Sequence, residues 1–268
     1  TAGRDPRMAQ TVLCPGYIAK GEESVTANDM TAMTGYEPIK FVSTAAHSGA
    51  SKGTSDWPLF RTAEIYLNYA EAKAELGTLT KDDLLISIDR IRARAGMKGL
   101  DMAAANANPD PFLLACYPNV TKSENTGVIL EIRRERTIEL VMEGLRMWDM
   151  FRWKEGAQLV NETNPYYGIY FSEPGLYDMD GDGRNDLELY VDKQTSSPAD
   201  GLTVLRIGSD IILSDMAENR GYVVAWSTLK YTWNEERDYL WPIPADQRVL
   251  TGGLLTQNPG WTDSTNFD

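Results

Sequence analysis

Leu59-Phe-Arg-Thr-Ala-Glu-Ile-Tyr-Leu-Asn-Tyr-Ala-Glu-Ala72 is the stretch on which the fold turns. Ile65, Tyr69, Ala72 and Leu76 repeat at helical spacing, while Ala63, Leu67, Ala70 and Ala74 repeat on a second face. Glu64, Asn68, Glu71 and Glu75 are left as the one polar stripe. Pro58 suits a first helical turn, and Gly77 suits the left-handed position after the last. An apolar arc this wide, built partly from alanines, lets neighbours approach closely on two sides, so the spacing predicts an internal helix in a stack of hairpins.

Working outward, Thr80-Lys-Asp-Asp83 forms an imperfect capping box before Leu84, Ile88, Ile91 and Ala95, and Gly96 supplies a stop. Residues 58–97 therefore read as a helical hairpin. Its length and the Tyr66 to Ala70 spacing resemble a tetratricopeptide unit, although no second copy follows at a fixed period. Beyond a loop containing Asn108-Pro-Asp-Pro111, residues 127–156 read as a helical pair, with one helix from about Val128 to Met142, Gly144 as separator, and a second piece reaching Lys154. Within it, Glu131-Ile-Arg-Arg-Glu-Arg-Thr-Ile-Glu139 is densely charged, and periodicity alone makes it a solvated face.

The flanks are irregular. Residues 1–57 are punctuated by Asp5-Pro6, Pro15-Gly16, Thr34-Gly-Tyr36 and Ser48-Gly49. Residues 157–268 form a loop-rich region broken by Asn164-Pro-Tyr-Tyr-Gly168 and Glu173-Pro-Gly175, with short strands expected near Thr203–Ile207, Gly221–Ala225 and Tyr239–Ile243. The fold class is thus mainly α: tetratricopeptide-like hairpins with long irregular loops and a few short strands. Loops of this length on a rigid scaffold are where binding residues are expected.

Composition narrows the chemistry. The 268 residues carry Lys+Arg 26 against Asp+Glu 39, a formal net charge of −13, which disfavours a nucleic-acid partner. No apolar run approaches the roughly 18–20 residues of a membrane span. Cys14 and Cys116 have no metal or dithiol spacing and read as free thiols. The single histidine, His47, lies in a Ser/Thr/Ala/Gly-rich stretch without a nucleophile elbow, so neither a Ser-His-Asp triad nor a two-histidine metal site is expected. A glycoside hydrolase would need two carboxylates about 5–9.5 Å apart, and no motif singles out a pair, so the chain is not expected to be an enzyme. The start, Thr1-Ala-Gly-Arg-Asp-Pro6, lacks an initiator Met and reads like the interior of a longer protein.

One loop carries metal-type chemistry. Asp178, Asp180 and Asp182 occupy positions 1, 3 and 5 of a calcium loop, with Gly183 at the turn, Arg184 at the backbone-carbonyl position and Asp186 at position 9. Alternating carboxylates turned into one small loop repel one another without a cation, which points to structural calcium. The competing reading is a solvated acidic turn. Position 12 is Leu189, so a final ligand has to come from Glu188, Asp192 or elsewhere. Among six Phe, seven Trp and thirteen Tyr, Tyr17, Tyr36, Trp57, Trp226 and Trp233 fall in loop-like stretches and are the candidate ligand platforms. Trp148, Trp153, Trp241, Tyr66 and Tyr69 are assigned to packing.

Four stretches, in order and spacing, resemble the SusD/RagB family of outer-membrane nutrient-binding lipoproteins. They are Asp5-Pro-Arg7 with Thr34-Gly-Tyr36; Leu59 through Ala72; Glu131 through Arg152; and Tyr239-Leu-Trp-Pro-Ile-Pro244 with Gln257-Asn-Pro-Gly260. The resemblance implies that Glu135, Arg136, Glu139, Glu143, Arg146, Asp149 and Arg152 are structural ion pairs tying the helical core to its loops. It further implies capture of a glycan on the outer surface of a Gram-negative cell and delivery to a SusC-like TonB-dependent transporter, without catalysis. The chain resembles the family's second half, so the amino-terminal half, the signal peptide and the lipid-bearing cysteine are expected to lie outside it, and Cys14 is not that cysteine. Membrane attachment is then only through a lipid anchor beyond this sequence. The alternative from the helices alone is a scaffold or peptide-binding protein. The loop at 178–186 belongs to no signature of the family.

Overall fold

The computed structural model describes residues 3–262, apart from 48, 50, 55, 57, 161–165, 227, 229 and 230. A single turn, α1 (Met8–Thr11), precedes the long helix α2 (Thr62–Glu75). The helix opens later than Pro58, because Arg61 is extended at φ −126° and ψ 141°. Its end follows the expectation: Gly77 takes φ +68°, and Thr78 N–H reaches the Lys73 carbonyl at 2.9 Å beside a Gly77 to Ala74 bond of 3.1 Å. These are the paired bonds of a glycine-stopped helix.

Only one of the two apolar faces of α2 is covered. Leu67, Ala70 and Ala74 are buried against α7 (Thr126–Glu139), whereas Ile65 is 58% and Leu76 74% exposed. The expectation of a helix packed on both sides is therefore corrected among the described residues. The hairpin's second arm is also two pieces, α3 (Lys81–Ile86) and α4 (Ile88–Arg94). Thr80 caps α3 as predicted, accepting from Asp83 N–H at 3.2 Å while its own N–H donates to Asp83 Oδ2 at 2.8 Å. The break falls at buried Ser87, whose hydroxyl donates to the Asp83 carbonyl one turn back at 2.5 Å and competes with the helical ladder.

The stretch read as a loop before α7 holds two more helices, α5 (Met102–Ala107) and α6 (Pro111–Cys116), each opened by an aspartate cap, Asp101 and Asp110. α5 lies directly on α7: a Cβ on Gly127 would come within 1.8 Å of the Ala105 carbonyl oxygen. Asn106 Oδ1 accepts the Val128 N–H at 2.8 Å and satisfies one of the first-turn donors of α7. Gly144, at φ +77°, separates α7 from α8 (Arg146–Arg152). Val128, Ile129, Leu130, Ile132, Met150 and Trp153 complete the helical core.

Beyond residue 160 the chain is more ordered than loops with stray strands. Two three-stranded sheets form. In one, β1 (Tyr167–Phe171) and β5 (Leu213–Asp215) flank β6 (Arg220–Val224), all antiparallel. In the other, β2 (Gly175–Tyr177) pairs antiparallel with β3 (Leu187–Tyr190), which pairs parallel with β4 (Thr203–Arg206). Phe171, Leu187, Leu189, Ile207, Ile211, Leu213 and Val223 give them a separate core. The mainly α reading is thus right for the scaffold and incomplete for this half. Tyr239–Ile243 is not a strand, and a short helix, α9 (Ala245–Leu250), follows it.

The charged run on α7 is buried, not solvated. Arg133, Glu135, Arg136 and Glu139 are each at most 4% exposed. Glu135 receives Arg7 at 2.5 Å and Arg92 at 3.0 Å; Glu139 receives Arg7 at 3.1 Å, Arg61 at 3.1 Å and Arg94 at 2.7 Å. Just past α7, Glu143 takes Lys40 at 2.6 Å and Arg61 at 2.7 Å. Arg136 binds Asp149 at 2.6 Å, and Arg152 bridges Asp149 and Glu71. Burial opposes ionisation of Glu71, but hydrogen bonds from Arg152 and Trp153 outweigh it and hold the carboxyl below its ordinary range. The irregular first sixty residues are thereby fastened to the helices by ion pairs, since buried charge is tolerated only when matched.

A second buried pair is poorly matched. Glu155 is fully buried, accepts the Asn119 N–H at 2.9 Å and lies 3.7 Å from Arg133. Its Oε2, and Nε and Nη1 of Arg133, have no hydrogen-bond partner among the described residues. Burial outweighs the Asn119 bond and the Arg133 charge and pushes the Glu155 carboxyl up to about 7.

Two outcomes are expected. Glu139→Gln removes the carboxylate shared by Arg7, Arg61 and Arg94, leaving Arg94 without an ion pair among the described residues while Arg7 keeps Glu135 and Arg61 keeps Glu143. It lowers stability by about 3 kcal/mol, seen as a reduced urea midpoint, whereas the exposed Glu22→Gln stays within about 0.5 kcal/mol. Because the folded-state value of Glu155 lies above its ordinary 4.5, its contribution to stability is complete below that value and is lost as pH rises to about 7. Urea unfolding across this window gives a decline that Glu155→Gln removes; an equal decline in the variant assigns the effect elsewhere.

Candidate functional site

Period-two alternation sends successive strand residues to opposite faces, so Tyr167 and Tyr170 belong on different sides of an ideal strand. A register irregularity between them in the β1–β6 pairing places both rings beside Tyr222. Tyr167 stacks on Tyr222 with centroids 5.3 Å apart and planes 17° apart, and Tyr170 meets Tyr222 edge-on at 5.1 Å. Just outside the paired strands, Tyr166 and Trp226 meet each other edge to face at 6.3 Å. All five rings are 40–53% exposed, an aromatic ribbon along the sheet and its flank, while Phe171 and Val223 of the same strands are in the core. Burial raises the Tyr166 hydroxyl above its ordinary value, with the Tyr231 hydroxyl adding to the shift. The Thr34–Tyr36 turn is pressed against β1: Ile169 N–H donates to the Thr34 carbonyl at 2.8 Å, and a Cβ on Gly168 would sit 2.1 Å from that oxygen.

The five loop aromatics singled out from sequence fare differently. Trp226 is in the ribbon. Tyr36 is exposed on the turn that docks on β1, and Tyr17 is half-buried, its carbonyl accepting Thr26 N–H at 2.8 Å. Trp57 lies outside the described residues. Trp233 is a packing residue, wedged on Gly156, where a Cβ would come within 1.9 Å of its ring, and edge-on to Phe151 and Tyr239 at 5.6 and 5.0 Å. Conversely Trp148 and Trp241, assigned to packing, are 57% and 61% exposed. Trp153 packs as expected, donating to Glu71 Oε1 at 2.7 Å. Tyr166, Tyr167, Tyr170 and Tyr222 escaped the sequence reading. Their signal was the Tyr-rich run Tyr166-Tyr-Gly-Ile-Tyr170, but its common face depends on the irregularity, which spacing does not show.

The acidic loop joins β2 to β3. Carboxylate oxygens of Asp178, Asp180 and Asp186 lie within 4.8 Å of one another, which fits ligands placed about 2.3–2.6 Å from one shared calcium ion. Asp182 is not in that group: its Oδ1 accepts the Arg184 N–H at 2.7 Å. Glu188, a candidate for the last ligand, is committed elsewhere, accepting Thr195 N–H at 2.7 Å and Ser196 N–H at 2.6 Å. Backbone N–H groups of Gly183 and Gly181 hold the Asp178 carboxyl below its ordinary range, while burial and then the charges of Asp186, Asp182 and Asp178 push Asp180 upward. The Asp180 carbonyl accepts Gly16 N–H at 2.8 Å, so the loop is pinned to the amino-terminal segment.

Both cysteines are free, Cys14 buried and Cys116 half-buried. His47 is exposed, its Nδ1 3.1 Å from the Thr44 hydroxyl. Among the described residues no helix is long and apolar enough to cross a membrane.

Comparison with known proteins bears on this arrangement as a whole. The chain is similar in fold to a SusD-like protein of Bacteroides fragilis, with a TM-score of 0.57 and 23% identity, over 97% of this chain and 40% of the other. It is likewise similar to a SusD-like carbohydrate binding protein of the same organism, with a TM-score of 0.53 and 21% identity, over 93% and 41%. The chain thus spans about 40% of the length of these solved relatives. No curated protein matches it. A model of the SusD family matches residues 1–261, the stretch that carries both the buried ion pairs and the aromatic ribbon, and the chain belongs to that family.

Proposed function

We propose that this chain forms part of a non-enzymatic glycan-capture protein at the outer membrane of a Gram-negative cell, lipid-anchored through a segment outside this sequence and delivering its ligand to a SusC-like TonB-dependent transporter. The observation that supports this reading most is the exposed ribbon of Tyr166, Tyr167, Tyr170, Tyr222 and Trp226. Aromatic rings cover the apolar C–H faces of pyranoses, and tyrosine hydroxyls bond the sugar hydroxyls around them. A ribbon on paired strands holds its rings in fixed register, which limits the ordering entropy lost on binding. One solved protein of similar fold is a carbohydrate binding protein, which agrees with this reading. Peptide cargo is the second reading, favoured by the uncovered apolar face of α2 at Ile65 and Leu76.

Calcium is proposed as a structural ion held by Asp178, Asp180 and Asp186 with the Arg184 carbonyl. When bound it supplies positive charge to an acidic loop whose Asp180 is buried and which is tied both to the second sheet and to Gly16.

Calorimetric titration with neutral and acidic oligosaccharides, followed by a reducing-end assay, tests capture. Saturable binding without new reducing ends is expected, with Tyr222→Ala weakening it about tenfold or more; new reducing ends would replace capture by hydrolysis. For calcium, addition at about 100 times Kd is expected to raise Tm by roughly 5 °C or more, from about 2.7 kcal/mol of linkage, and Asp180→Asn is expected to abolish the rise. An unchanged Tm would leave the loop a solvated turn.

A further inference from the structure

In a chain with net charge −13, several arginines gather where the start of α2 faces the end of α4. A cleft of about 410 Å³ opens there, lined by Phe60, Arg61, Tyr66, Arg90, Arg94 and Glu139. A second hollow of about 180 Å³ shares Arg61, Arg94 and Glu139 with it and adds Arg7 and Lys40. The charges lining the cleft are unequally matched. Arg61 is held by Glu139 and Glu143, and Arg94 by Glu139 alone, whereas Arg90 has no carboxylate within 4 Å among the described residues.

The surplus donors are at the surface. Arg94 spends only Nη2 on Glu139, at 2.7 and 2.9 Å, and its side chain is 56% exposed. Arg90 is exposed and lies over the Tyr66 ring at 5.8 Å, which holds the guanidinium at the cleft. Phe60, 86% exposed, stands at the rim with Tyr66, so the cleft offers aromatic surface beside guanidinium groups. A planar fork of N–H donors matches a carboxylate or sulfate oxygen pair, and an adjacent ring matches the apolar face of the sugar that carries it.

We propose that this cleft is a subsite for an anionic sugar residue, bearing a carboxylate or a sulfate, of the captured glycan. The inference rests on the glycan-capture reading and names the class of sugar. Arg90 and Arg94 clamp the anion, and Phe60 and Tyr66 receive the ring.

The test is calorimetry of the full chain with three probes: an oligogalacturonate for the carboxylate, a sulfated galactan oligosaccharide for the sulfate, and an uncharged xylo-oligosaccharide. The expected result is that one or both anionic probes bind at 50 mM salt, lose about tenfold in affinity at 500 mM, and weaken about fivefold or more in Arg90→Gln, while uncharged binding is unaffected by either change. Arg90 contacts no buried carboxylate, so its variant keeps the fold, and an unchanged Tm verifies this. Equal affinity for charged and uncharged probes, or indifference of the anionic probes to Arg90→Gln, overturns the subsite and leaves glycan capture standing. Absence of binding to all three overturns the subsite together with the capture reading.

Discussion

A carboxylate with almost no access to water has to be met by positive charge, and α7 carries two of them, Glu135 and Glu139, on its buried side. The demand cannot be met from within the helix. Arg7 arrives from beyond α1, Arg61 from the entry to α2, and Arg92 and Arg94 from α4. Three separate stretches of chain are thus recruited to one helix, and the irregular first sixty residues acquire a place although they contain almost no regular structure. The apolar core of Leu67, Ala70, Ile129 and Ile132 supplies the bulk of the burial, while the ions decide which segments surround it.

The same division separates what is legible in the sequence from what is not. The single-sided repeat Leu67, Ala70, Ala74, the Thr80 cap and the Gly77 stop are local facts, and each appears in the structure where spacing puts it. The charged stretch from Glu131 to Glu139 has the composition of a wet surface; only the resemblance to SusD/RagB proteins implied a buried network, because its partners lie up to 132 residues away. Ser87 breaks its helix through a back-bond that helix propensity does not anticipate. Asp110-Pro111 is a cap followed by a first-turn proline, a pair of residues that also punctuates loops, so the local signal alone leaves its meaning open.

Aromatic residues were the hardest to place, for a physical reason. Whether a ring is core or surface depends on what meets it from elsewhere in the chain. Trp233 looks free in a polar stretch but finds a seat on Gly156, where no side chain intervenes. Trp148 sits on a helix that ought to bury it, and its ring points outward. The ribbon of Tyr167, Tyr170 and Tyr222 exists because two residues out of phase in sequence are brought into phase by one irregular pairing. In the acidic loop the Asp-x-Asp pattern located the right segment, while the roles within it, with Asp182 turned to the backbone and Glu188 turned away, are set by the strands on either side.

The convergence of three arginines on Glu139 also has a meaning over evolutionary time. If any one of Arg7, Arg61 or Arg94 drifts to another residue, two cations still meet the acid, and the lost share is partial. If the acid drifts, all three cations lose a shared partner at once, and Arg94 loses the one ion pair it makes among the described residues. Selection therefore bears unequally on the two sides of the same contact. A contact built this way tolerates replacement of its arginines one at a time, and with them change in the surface segments they anchor, better than replacement of the glutamate to which those segments are delivered.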